Sequence, residues 1–205
     1  MNAPPAAVRA AFTRAALRLS ALFALVFYGA DAITELHSLR LRVHANWELA
    51  IPYWPAAYPL YLSVFALPFV VLWLARDPAE VQRWERRMAA AIGVAGVAFV
   101  LLPAAPGYAP ADAGAWQPWA TFTGWAAGRH NLLPSLHVAL ALIIVRTAWP
   151  RALPALRWLL GLWLAALVAS VLLTHQHHLA DVVAGVVLGG WPWRARVSHA
   201  REPNG

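Results

Sequence analysis

The chain has 205 residues, 61% of them hydrophobic and only 12% charged, where soluble domains carry about 25% charged residues. That balance excludes an ordinary soluble domain and points to a polytopic membrane protein whose apolar surface meets lipid as well as a core. The absence of cysteine excludes disulfides, thiolate metal sites and a cysteine nucleophile, and the pI near 11.0 does not signal nucleic acid, because every basic residue is an arginine placed in a short stretch between apolar runs.

Residues 1–14 are rich in Ala, Pro and Arg and read as a loose or amphipathic tail. The first apolar run, about Ala15 to Ile33, is long enough to span a bilayer. Its flanking arginines and the Ala30-Asp31-Ala32 triplet also suit a secretory signal, but the run is long for one, so an uncleaved helix is expected. Glu35 to Tyr58 carries His37, Arg40, Arg42, His44, Trp47 and Trp54 and reads as an interfacial loop or short helix. A second span is expected from about Ala56 to Ala75, with Pro59 and Pro68 as kink points. Arg76 to Arg87 reads as a charged connector, and a third span runs from about Met88 to Leu102. Ala104 to Gly128 is the longest polar loop and holds Trp116, Trp119 and Trp125. The fourth span starts at Pro134 and reaches about Trp149, the fifth covers about Pro154 to Leu173, and the sixth, short for a full crossing, covers about His177 to Trp191. Residues 194–205 form a polar, basic tail expected to be flexible.

The expected fold class is therefore all-α: one membrane domain over 1–205, six transmembrane helices in a bundle, and both termini on the same side. With the N-terminus in the cytoplasm, the inner segments hold Arg9, Arg14, Arg18, Arg76, Arg83, Arg86, Arg87, Arg146, Arg151, Arg157, Arg194, Arg196 and Arg201. The outer segments hold only Arg40, Arg42 and Arg129. The positive-inside rule then puts both termini in the cytoplasm of a cell inner membrane, and the starts of spans four and six at the outer, periplasmic face.

Those two starts carry the chemistry-bearing residues. Thr174-His175-Gln176-His177 interrupts sequence that is otherwise almost wholly hydrocarbon, and Asp181 is the only acidic residue between Asp112 and Glu202. An ionisable group at membrane depth needs a reason. His177 and Asp181 are four residues apart, so on a helix they share a face, where the carboxylate would take the Nδ1 proton and leave Nε2 free to attack or accept a proton. At the other start, Gly128-Arg129-His130-Asn131-Leu132-Leu133-Pro134-Ser135-Leu136-His137 offers a helix N-terminus with unpaired N–H groups, His137 about one turn in, and Arg129 and His130 as cationic donors. Ser135 is of the N-cap type, with a hydroxyl or N–H that could also face phosphate. Two histidines on one membrane face suit phosphoryl transfer, one attacking phosphorus and the other protonating the leaving oxygen.

The blander readings are concrete. His177 with Asp181 could be a hydrogen bond between membrane helices, contributing only about 1 kcal/mol. His175, His177, His178 and Asp181 could ligate a metal, but no HExxH-like order is present and no metal is expected. His175 and His178 suit the interface as solvated or phosphate-proximal groups, Ser170 a bond between helices, and Gly185, Gly189 and Gly190 close helix packing.

The motif residues resemble those of the type 2 phosphatidic acid phosphatase superfamily, integral-membrane lipid phosphatases and phosphotransferases. Pro134, Ser135 and His137 match its Pro-Ser-x-His motif, and Ser170, His177, Asp181 and Gly185 match its Ser-x6-His-x3-Asp-x3-Gly motif. The matching stretch covers about residues 128–190. The resemblance implies a six-helix membrane core without metal or other cofactor, acting on a lipid phosphate among membrane lipids. It makes His177 the nucleophile of a phosphohistidine, Asp181 its orienting partner and His137 the general acid. The chain departs from the family at its first motif, a Lys followed seven residues later by Arg-Pro, which is absent, and has Val171 where an Arg follows the motif serine and Leu136 in place of the Gly of Pro-Ser-Gly-His. Leu136 with Thr174, Gln176 and His177 is similar to the branch containing inositol phosphorylceramide synthases. Arg129, or Arg40 or Arg42, is the expected source of the missing charge. The functional expectation is a lipid phosphate or pyrophosphate phosphatase. The alternatives are a phosphotransferase to an alcohol acceptor and a non-catalytic transporter or binding protein.

Overall fold

A computed structural model describes residues 3–36, 38–128 and 130–193. Arg129, His37 and the tail at 194–205 lie outside the described residues. Within them the protein is all-helical, with one isolated backbone bridge between Leu41 and Ala104 and no strand.

Helix α1 runs Ala6–Thr34. The expected tail at 1–14 is thus, from Ala6 onward, helix: Val8, Ala11 and Phe12 are buried, and the Phe12 ring stacks on Trp84 at 5.6 Å. After a loop containing the 3-10 turns Asn46–Ala50 and Pro55–Ala57, the second expected span appears as α2 (Tyr58–Leu62), a 3-10 turn at Ser63–Phe65, and α3 (Pro68–Leu74), bent by 40°. The break falls just before Pro68, whose ring cannot donate a helical hydrogen bond. The expected connector at Arg76–Arg87 is also corrected, since α4 runs Pro78–Leu101. Asp77 caps it by accepting from the Ala79 N–H at 2.7 Å, Pro78 takes the first position and Glu80 the first turn. The long loop holds a 3-10 turn at Gly114–Trp116 and α5 (Gln117–Ala126). Then follow α6 (Leu136–Ala148), a 3-10 turn at Trp149–Arg151, α7 (Pro154–Leu173) and α8 (Leu179–Gly190).

Contacts set the directions. Phe12 meets Trp84 and Phe27 meets Phe99, so α1 and α4 run parallel, with α2 and α3 returning between them. Ser135 and Ala139 of the α6 side meet Gly185 and Gly189, so α6 and α8 also run parallel, with α7 returning. A Cβ on Gly185 would lie 2.6 Å from the Ser135 carbonyl oxygen, and one on Gly189 would lie 2.5 Å from that of Ala139. Only glycine permits that approach, so these two serve the close packing expected of them. Gly190 has open space around it and does not. Ser170 departs from expectation as well: its hydroxyl donates to Leu167 within α7 rather than to another helix.

By length and composition, α1 and α7 are able to cross a membrane, and the bent α2–α3 pair is a third candidate if counted as one span. α4 is long enough, but Arg83, Glu85, Arg86 and Arg87 lie in its first half. The 13 residues of α6 and 12 of α8 reach roughly 20 Å, short of a hydrocarbon core of about 30 Å. The outer surface is apolar. Most of α7 is not buried within the protein, and Trp158, Leu159 and Leu162 face outward. A helix apolar on its exposed side marks a membrane-associated protein.

Candidate active site

The end of the bundle where α6 and α8 begin gathers the motif residues. Ser135 is the N-cap of α6, its Oγ accepting from the Val138 N–H at 3.5 Å and its own N–H donating to the Asp181 carbonyl at 2.9 Å. The starts of α6 and α8 are therefore tied to each other directly, although Ser135 and Asp181 are far apart in the chain. Ser135 is fully buried in this role, and its side chain does not line the cavity beside it.

The turn from α7 into α8 is built by backbone bonds that end α7. The N–H groups of Gln176 and His177 both donate to Val171 O at 3.1 Å, and the Thr174 hydroxyl donates to Ser170 O at 2.7 Å. His175 takes a left-handed conformation, φ 56°, which a non-glycine residue adopts at a cost. Its Nε2 lies 2.9 Å from Ile51 O, which holds it there. This sharp reversal separates the neighbours: His175 is carried outward onto Tyr108, while Gln176 and His177 line the cavity.

His177 and Asp181 meet, but not on one helical face. α8 begins at Leu179, so His177 stands two residues before the helix and Asp181 is in its first turn. Asp181 Oδ2 accepts the N–H of His178 at 2.8 Å and lies 3.5 Å from His177 Nδ1. That separation is an ion-pair contact, longer than a formed hydrogen bond. Asp181 has no exposed surface, and its Oδ1 meets no donor among the described residues. His177 Nε2 likewise has no hydrogen bond among them.

His137, in the first turn of α6, faces this pair with ring centroids 6.2 Å apart. Its Nδ1 lies 3.3 Å from the Tyr61 hydroxyl, and the two rings stack at 4.1 Å. Its Nε2 is buried with no partner among the described residues. His137 is thus held through Nδ1, His177 has only the longer contact of its Nδ1 with Asp181, and neither ring has a hydrogen bond at Nε2 among the described residues. They stand at the polar end of a cavity of about 500 Å³. Away from them the walls are hydrocarbon and aromatic: Phe23, Phe27, Phe69, Met88, Leu140 and Ile144, among others.

The remaining expected residues fall elsewhere. His130 does not line the cavity. Its N–H donates to Asp31 Oδ1 at 3.2 Å and its Nδ1 is buried without a partner among the described residues. Arg129 is outside the described residues, although its neighbour Gly128 lines the cavity. Among the described residues no arginine lines it. His178 is buried and His175 half-buried; they belong to a stack in which Tyr53, His175, Tyr108, His178 and His44 follow one another, the tightest contact being Tyr108 on His175 at 3.8 Å.

Three residues were missed by sequence reasoning. Tyr61 is 76 positions from His137, and no spacing rule links them. Asn131 is buried with its amide donating to Phe27 O at 2.7 Å and its Oδ1 unpartnered. Glu48 is buried beneath the α8 N-terminus, accepting from the N–H groups of Leu179 and Ala45, each at 2.8 Å, with His178 Nδ1 3.7 Å away. Burial opposes its ionisation, yet those two backbone donors, with His178 and His44, hold its carboxyl below the usual range. A lone acid between Trp47 and Leu49 was the available signal. Tyr108 is pushed up by burial and by the Glu48 and Asp181 carboxylates.

Comparison with curated proteins and with solved structures gives no match. The chain does match the family model of the PAP2 superfamily over residues 34–193, a range that contains both histidines, Asp181, Tyr61 and Glu48. That match covers most of the chain, carries a phosphatase-type function with it, and shows that this membrane-associated helical protein belongs to the PAP2 superfamily.

Proposed function

We propose that the protein is an integral-membrane lipid phosphate or pyrophosphate phosphatase that works through a phosphohistidine on His177. The observation that carries this is the facing pair of imidazoles at the polar end of an otherwise apolar cavity. With Asp181 taking the Nδ1 proton of His177, the Nε2 lone pair attacks phosphorus and the P–O bond to the lipid breaks. His137 acts as the imidazolium: its Nδ1–H donates to the Tyr61 hydroxyl oxygen, and its Nε2 proton passes to the departing oxygen, leaving a neutral ring. His137 then takes a proton from water, whose oxygen attacks phosphorus and breaks the P–N bond, releasing phosphate and restoring His177. N–H groups at the start of α6 and the Gln176 side chain would hold the phosphoryl oxygens, with Arg129, which follows Gly128 in the sequence, as the proposed cation. The lipid chain occupies the hydrocarbon length of the cavity.

In this reading the six apolar segments cross an inner membrane as a bundle, both termini are cytoplasmic, and the site faces outward. The alternating helix directions and the arginine distribution support it. α6 and α8 then reach only part of the bilayer as helix.

A second reading, transfer of the phosphoryl or phospho-headgroup to an alcohol as in the inositol phosphorylceramide synthase-like branch, is favoured by Asn131. Its unpartnered Oδ1 in the cavity wall can accept from a hydroxyl but not from a phosphate dianion.

The test is a panel of lipid phosphates and pyrophosphates assayed in detergent with wild type and His177→Ala. Turnover by wild type, lost in the variant and inhibited by orthovanadate, is expected. Free phosphate as product supports hydrolysis, and a phosphorylated alcohol supports transfer. Undiminished turnover in His177→Ala sinks both, and a protein inert and vanadate-insensitive across the panel is the non-catalytic binder.

A further inference from the structure

The far ends of α6 and α8 enclose a second cavity of about 210 Å³, lined by Arg87, Ile143, Arg146, Gly189 and the segment from Trp191 to Trp193. It is separate from the histidines: Arg146 lies nine positions after His137 on α6, about 14 Å along the axis. Arg146 is held in place, its Nη1 donating to the carbonyls of Gly189 and Gly190 at the end of α8. Arg87 is half-buried and has no hydrogen bond or ion pair among the described residues. The charges acting on it are those of Arg146 and Arg83, both of its own sign. The carboxylates of α4 are already engaged, Glu80 with Arg151 and Glu85 with Arg18.

A half-buried guanidinium beside two like charges is eased when an anion joins it. Two guanidiniums, one of them fixed, present a fork of donors matched to phosphate oxygens. Trp191 and Trp193 at the rim are the residue type that sits at headgroup level. We propose that the cavity between Arg87 and Arg146 binds a phosphate group, carried by an anionic lipid headgroup or by free phosphate. This site is independent of the chemistry at His177 and stands whether or not that reading holds.

The full-length protein is placed in nanodiscs of phosphatidylcholine containing phosphatidylglycerol, and retained lipid is counted by native mass spectrometry. In detergent, inorganic phosphate is titrated against thermal unfolding at matched ionic strength. Wild type is expected to retain phosphatidylglycerol at least fivefold over phosphatidylcholine if the headgroup is the ligand, or to gain several degrees in Tm with phosphate if the free anion is. Arg87→Gln removes either effect, and Arg87→Lys retains part of it. Wild type showing neither a lipid preference nor a phosphate-dependent Tm overturns the proposal without recourse to a variant. So does an effect that persists unchanged in Arg87→Gln.

Discussion

Under the proposed mechanism, His137 and His177 put the same side chain to two opposite tasks, set by what lies beside Nδ1. In that reading the carboxylate beside His177 Nδ1 leaves its Nε2 to attack, and the Tyr61 oxygen accepting from Nδ1–H of protonated His137 leaves its Nε2–H to be donated. Tyr61→Phe keeps the stacked ring and removes only the hydroxyl. It is expected to lower kcat about tenfold, some 1.4 kcal/mol of barrier, with KM little changed. A KM increase without loss of kcat would instead make Tyr61 a wall of the cavity. Glu48 acts one step further away, as a positioning residue for the start of α8. Because its folded-state pKa is lowered, its contribution to stability is present above the ordinary carboxylate range and is lost as pH falls through the lowered value. Thermal unfolding of wild type should therefore weaken with acid over that window more steeply than that of Glu48→Gln. Parallel curves would remove Glu48 from this role. The His177–Asp181 partnership was legible in the sequence because the two are near neighbours. The partners of His137 and of the α8 N-terminus were not, because Tyr61 and Glu48 arrive from distant segments with no periodicity connecting them.

Among the elements, α7 was readable to the residue, since Pro154 starts it and the polar run at Thr174 stops it. α4 was half misread. Its charged first turns look like a connector by hydropathy, yet Val81, Trp84, Met88, Ala91, Ile92 and Ala95 recur at helical spacing and are all buried. Asp77→Ala should cost about 1 kcal/mol of stability through the lost cap, with activity unchanged. α8 depends on contact rather than on capping alone. Gly185→Ala places a methyl group against the Ser135 carbonyl, and overpacking of that kind costs about 1–3 kcal/mol. It should lower the melting temperature and also kcat, because α8 carries Asp181. A variant with wild-type stability and turnover would show that α8 is free to shift.

For the whole molecule, the native chain contains no cysteine, so single cysteines report topology without background. Asp112→Cys, in the loop at the histidine end, should react with a membrane-impermeant maleimide in intact cells. Gln82→Cys, exposed near the start of α4, should react only after the inner membrane is opened. The reverse pattern would put the histidines on the cytoplasmic side, and equal labelling would deny that these segments cross. The charge asymmetry behind this expectation is a property of composition, since insertion reads arginine in flanking segments before any fold exists.

The sequence alone determined what local information can carry: apolar segments, their punctuation by proline and by polar runs, the bias of arginine, and two short motifs around His137 and His177. Proximity was beyond it. The packing of α6 on α8 through Gly185 and Gly189, the arrival of Tyr61 and Glu48, and the cavity enclosed between helices from both halves of the chain exist only once the bundle closes. The physical reason is range. Hydropathy and capping act over a few residues of one segment, whereas a hydrogen bond or ring contact forms between whichever groups packing brings within a few ångströms, however far apart they lie along the chain.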